Sequence, residues 1–109
     1  MRMWMVSPSL LCDQHLLGEH NELHKHRWTF VKKHRKDGYI KNNCIEPESM
    51  AARHEELVAE MKSRGFNHRS PYEQPDISYL PDEHRRYRVD TESSLEELYR
   101  RCEKCRGKS

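Results

Sequence analysis

The amino-acid sequence predicts an all-α, compact single domain of three main helices, with a long irregular connection between the second and third. Apolar residues recur at helical spacing in three separate stretches, no stretch sustains the alternation of a strand, and Pro71, Pro75 and Pro81 interrupt the segment between the last two stretches. At 109 residues there is room for one domain, spanning 1–109, and with 34% hydrophobic residues its core must be thin. A charged fraction of 35% would suit disorder, but two Trp, five Tyr and the regular apolar spacing argue for a folded chain.

The first helix is predicted from about Ser9 or Asp13 to Lys36, capped by Asp13 and stopped at Gly38, since glycine takes the left-handed conformation that ends helices. At about 100° per residue, Leu16, Leu17, Leu23, Phe30 and Val31 gather on one side. His15, Glu22, His26 and Lys33 form a separate polar stripe. The second helix is signalled by Pro47 near its first turn, Gly65 after its last, and Met50, His54, Leu57, Val58 and Met61 between them. The third runs from about Thr91 to Cys105, with Asp90, Thr91 and Ser93 as possible caps, an apolar row of Leu95, Leu98, Tyr99 and Cys102, and Gly107 at its end. A connection as long as the one before it should be anchored, and Ile77, Tyr79, Leu80 and Tyr87 are the residues expected to do so.

The net charge of +2 hides an uneven distribution. Between residues 24 and 41, Lys25, Arg27, Lys32, Lys33, Arg35, Lys36 and Lys41 face only Asp37, a local charge of +6. Such a block suits a polyanion, because each Lys or Arg near a phosphate releases condensed counterions, although a solvated helix face can look the same. No window approaches the roughly 18 apolar residues of a membrane span. Residues 1–12 have a leading Arg2 and a short apolar run, but Pro8 and Asp13 argue against a secretion signal. Four cysteines, unevenly spread, do not suggest a secreted disulfide scaffold, so the reducing cytoplasm is the expected location.

The residues that could carry chemistry each have a plain alternative. His15, His20, His24, His26 and His34 crowd the first helix, and His20 with His24 has metal-ligand spacing, yet no HExxH pattern occurs and polar-face histidines explain them. Cys102-Glu103-Lys104-Cys105 has the spacing of half a zinc site or of a redox pair. A site would need a second such pair or an ordered Cys/His set, and without one these are read as cysteines with no role. No metal and no cofactor are therefore expected.

The order Asp13-Gln14-His15-Leu16, Glu22-Leu23, Arg53 to Glu60, Arg64-Gly65-Phe66-Asn67, then Asp76-Ile77-Ser78 with Pro81 and Glu83 resembles the pyrimidine dimer DNA glycosylase/AP lyase family, the phage endonuclease V-like enzymes. The resemblance covers about positions 1 to 38 and 50 to 95. It implies a metal-independent repair enzyme, acting as a monomer on double-stranded DNA that contains damaged pyrimidines, with no membrane partner. It places the nucleophilic α-amine at Met1, which the large Arg2 should protect from removal, and the catalytic carboxylate at Glu22. Arg2, Gln14, His15, Asn21, Lys25, His26 and Lys33 are the implied DNA-contacting positions, with an apparent one-residue insertion after Glu22. The family's longer phage members carry an aromatic-rich tail where this chain has Cys-Glu-Lys-Cys-Arg-Gly and ends at Ser109, so the imine chemistry is better supported than the exact lesion.

General chemistry agrees with an α-amine nucleophile. At a pKa of about 7.8 roughly a tenth of it is neutral near pH 7, against about 0.04% for a lysine at about 10.4. Two other classes of function remain: a non-catalytic helical DNA-binding protein using the basic block 24–41, and a zinc-dependent enzyme using the His and Cys residues.

Overall fold

The computed structural model describes residues 3–32, 40, 44–66 and 71–107. After the segment Met3–Val6 comes a 3-10 turn, Pro8–Leu10, and then helix α1, Asp13–Val31. A second 3-10 turn, Pro47–Ser49, leads into α2, Met50–Ser63. The connection contains one short helix, α3, Asp82–Arg85, and the described chain closes with α4, Thr91–Arg101, and α5, Glu103–Arg106. No strand occurs among the described residues, so the all-α expectation holds.

Helix α1 differs from expectation at its start. Cys12, not Asp13, is the cap residue, and Asp13 lies in the first turn with its carboxylate bound to Arg64 at 2.9 Å. The described helix ends at Val31, and the expected extension to Lys36 and stop at Gly38 lie outside the described residues. Leu16, Leu23 and Phe30 are buried as expected, each two turns from the next. Val31 is exposed, because the buried arc instead passes through Glu19, His20 and His26.

α2 packs against α1 and buries Met50, Arg53, His54, Leu57, Val58 and Met61 at helical spacing. Its end is chemically defined. Gly65, at φ +88°, donates to Lys62 O at 3.0 Å while Phe66 donates to Met61 O at 2.9 Å, the paired reverse bonds of a Schellman cap. Arg64 beside it donates to Leu11 O at 2.6 Å and to Glu60 at 2.8 Å, clamping this end of α2 to the start of α1.

The long connection is anchored by the residues the sequence suggested: Leu80 is buried, and Ile77, Tyr79 and Tyr87 pack on the core. Tyr72 and Gln74 add polar ties, Tyr72 donating to Leu23 O at 3.0 Å and Gln74 bridging Pro47 O and the Ala51 N–H. α4 starts on Asp90, whose side chain accepts from the N–H groups of Glu92 and Ser93. The single third helix expected to Cys105 is in fact broken at Cys102, φ −138° and ψ 108°, into α4 and α5. The cause is local: the Cys102 sulfur turns back to accept the Cys105 N–H and caps α5.

Candidate active site

The site is built on α1 and on the segment Met3–Val6 that lies against it. Glu19 is wholly buried and receives Arg53 from α2 in a two-pronged ion pair, Nη2 to Oε1 at 3.0 Å and Nε to the other oxygen. The same guanidinium donates to Val6 O at 2.7 Å, and the Trp4 N–H donates to the Glu19 carboxylate. Burial raises the Glu19 carboxyl above its usual range, and the bonds from Arg53 and Trp4 oppose that rise. Two charged residues from different helices thus fix the path of the chain at Trp4 and Val6. Trp4 is further held by its carbonyl, which accepts from the buried Ser94 hydroxyl at 2.6 Å, and Met3 is fully buried.

Glu22 lies one helical turn beyond Glu19. Its side chain is 17% exposed and sits 3.5 Å from the Lys25 ammonium. Gln14, Asn21 and Lys25 are exposed, and at helical spacing they fall within one narrow strip that borders Glu22. None of these three belongs to the predicted polar stripe of His15, Glu22, His26 and Lys33, of which Glu22 borders this strip.

Two other members of that stripe are placed elsewhere. His26 is 3% exposed, so its ring belongs to the interior and not to a DNA-facing surface. His15 is half-buried and turns Nδ1 toward sulfur, 3.3 Å from Cys12 and 3.6 Å from Cys105, with its ring edge-on to Trp4. Burial lowers its pKa, which favours the neutral ring. Met1, Arg2 and Lys33 lie outside the described residues.

The basic block is divided in the same way. Arg27 is engaged by the connection, donating to Glu73 O at 2.7 Å and lying over the Tyr72 ring. Lys25 and Lys32 face solvent, and Lys32 lies 5.2 Å over the ring of Trp28. Trp28 was not singled out from the sequence, because a Trp on an amphipathic helix reads as core, yet it is 57% exposed. An exposed indole beside ammonium groups is suited to stacking on a nucleobase.

Two groups of potential metal ligands come together among the described residues. One joins His20 and His24 of α1 to His54 of α2, beneath Tyr72, whose ring stacks on His54 at 4.6 Å. The other joins Cys12 and His15 to Cys102 and Cys105. In the second group burial and the neighbouring thiols push Cys105 up to about 12. Cys102 is lowered although burial acts against it, because backbone and thiol donors point at its sulfur. The sequence held a signal for this group: Cys12-Asp13-Gln14-His15 has the same two-residue gap as Cys102-Glu103-Lys104-Cys105. It was missed because the two halves stand at opposite ends of the chain.

A family model described as pyrimidine dimer DNA glycosylase matches residues 1–74, roughly two thirds of the chain. The chain belongs to the pyrimidine dimer DNA glycosylase family. The matched region contains Trp4, Glu19, Glu22 and Arg53, so the buried pair and the strip beside Glu22 are both within it. Comparison with curated proteins and with solved structures returns no match. For a pyrimidine dimer DNA glycosylase the ligand class is DNA, which suits the exposed strip of α1 with its lysines and Trp28. No described helix is long and apolar enough to cross a membrane.

Proposed function

We propose that the chain is a DNA-repair glycosylase with AP lyase activity on damaged pyrimidines, cyclobutane dimers first among them, working through an imine between the N-terminal α-amine and sugar C1′. The observation that carries this reading is the anchoring of Trp4 on Glu19, one turn from Glu22, inside the region matched by the family. Three residues span at most about 10 Å and a helical turn advances about 5.4 Å, so an amine on Met1 has the reach to share one deoxyribose with the Glu22 carboxylate.

The chemistry then follows from those two groups. The neutral amine attacks C1′, the bond from C1′ to the base breaks, and the base departs with a proton. Opening of the sugar ring leaves an imine, which acidifies the C2′ hydrogen. Glu22 stabilises cationic character at the sugar and takes the C2′ proton, the C3′–O bond breaks by β-elimination, and water releases the enzyme amine. None of these steps calls on a metal. Gln14, Asn21 and Lys25 contact sugar and phosphate from the exposed strip, with Arg2 and Lys33 assigned to the same role from the sequence. The enzyme works as a monomer in the cytoplasm. A damaged, poorly stacked site lowers the cost of about a few kcal/mol for flipping a nucleotide out of the duplex.

Borohydride reduction in the presence of an abasic or ultraviolet-damaged duplex tests this reading. The expected product is a covalent adduct located by mass spectrometry on the peptide that carries the α-amine. Acetylating that amine should abolish it. A protein that binds DNA without forming any adduct would be the non-catalytic helical binder.

A further inference from the structure

We propose that Cys12, His15, Cys102 and Cys105 form a structural zinc site that fastens the break between α4 and α5 to the start of α1. The four donors come from two helix starts, Cys12 capping α1 with His15 in its first turn and Cys102 capping α5 with Cys105 inside it, and all four ligand atoms lie within 4.8 Å of one another. Cys102 and Cys105 stand beyond the region matched by the family.

The distances fit one metal. Tetrahedral zinc with bonds of about 2.3 Å to sulfur and about 2.0 Å to nitrogen sets sulfur–sulfur edges of about 3.8 Å and sulfur–nitrogen edges of about 3.5 Å. Here the Cys12 and Cys102 sulfurs are 3.8 Å apart, and His15 Nδ1 is 3.3 Å and 3.6 Å from the sulfurs of Cys12 and Cys105. No pair is wider than 4.8 Å, so none needs to close by more than about 1.3 Å to complete the tetrahedron. The sulfur pair is far from the bond length of a disulfide, about 2.05 Å, and all four cysteines of the chain are free.

Backbone N–H groups point at two of the sulfurs. The Cys12 N–H donates to the Cys105 sulfur at 3.2 Å, and the Cys105 N–H donates to the Cys102 sulfur at 3.4 Å. Such donors stabilise the anionic sulfur that a metal requires and orient it. Cys12 and Cys105 are buried, while Cys102 and His15 are half-buried. Three thiols and one imidazole select zinc over hard cations, and four protein ligands leave no open position, so the role is structural. A thin core is the setting in which a small domain gains most from a metal staple. The His20, His24 and His54 group offers three imidazoles, and the hydroxyl of the overlying Tyr72 is already bound to Leu23 O, so among the described residues a set of four protein ligands is met only at the cysteine site.

Metal analysis of the untagged full chain, purified from zinc-supplemented culture, is the test. About one zinc per chain is expected, with a sulfur-rich coordination shell at about 2.3 Å by X-ray absorption. Cobalt substitution should produce the intense charge-transfer bands of thiolate ligation, and these should weaken in Cys102→Ser and in His15→Ala. Chelation should lower the thermal midpoint, and the freed thiolates should take up protons. Should the variants fail to fold, the absorption shell and the cobalt spectrum of the unaltered chain decide the matter. Folded protein without zinc whose midpoint is unchanged by added metal would overturn the proposal, and so would metal that survives both variants but is lost in His54→Ala.

Discussion

Arg53 and Glu22 show how differently two charged side chains act in one small protein. Arg53 is 2% exposed and holds both Glu19 and the Val6 carbonyl, so removing it strands a carboxylate in the interior. Arg53→Met should cost about 3–5 kcal/mol in denaturant unfolding, the range for breaking a buried pair from one side, and a loss below about 1 kcal/mol would show that water reaches Glu19. Glu22, at the edge of the exposed strip, has no such structural burden. Glu22→Gln should slow base excision by about 10²–10⁴-fold, the usual weight of a proton-transfer group, with duplex binding in gel-shift assays nearly unchanged. Parallel loss of both would make Glu22 a structural residue.

At the scale of the element, α4 tests how much a cap and its charges contribute to a short helix. Asp90 is held below its ordinary value by the Ser93 backbone N–H and hydroxyl, and by the Glu92 N–H. Glu97 is brought down to about 2 by Arg100 first and then Arg101. Because both folded values lie below the unfolded ones, their stabilisation is complete above the ordinary carboxylate range and disappears as the pH falls through the folded values. Helical circular dichroism should therefore decline on acid titration. The part due to the surface ion pairs of Glu97 with Arg100 and Arg101 should shrink in added salt, whereas the part due to the cap should persist and be absent in Asp90→Ala. Identical acid profiles for the parent and Asp90→Ala would remove the cap from the account. The break after α4 shows what propensity alone misses: the residues around Cys102 continue a helical pattern, but its sulfur is committed to the Cys105 N–H and to the Cys12 thiol.

Across the whole molecule, DNA affinity should depend on salt because the exposed side of α1 presents Lys25 and Lys32 and the block continues through Lys33, Arg35, Lys36 and Lys41. The slope of log affinity against log salt should be close to −0.9 per phosphate neutralised, and a flat response would exclude the basic block from the interface. Arg27 should contribute little to that slope, since its guanidinium is engaged by Glu73 and Tyr72.

The sequence by itself determined the helical class, the anchors of the long connection and the family, because these rest on local periodicity, on proline and glycine chemistry, and on an ordered motif from Asp13 to Glu83. Only the tertiary structure decided which members of a polar stripe face solvent. His26 of the stripe is drawn inside, and Arg53 buries Glu19 beside it, and nothing in α1 alone specifies either outcome. It alone also brought Cys12 and His15 to Cys102 and Cys105, since the sequence separation of 90 residues leaves no periodic trace and the contact exists only once α4 has docked on the start of the chain.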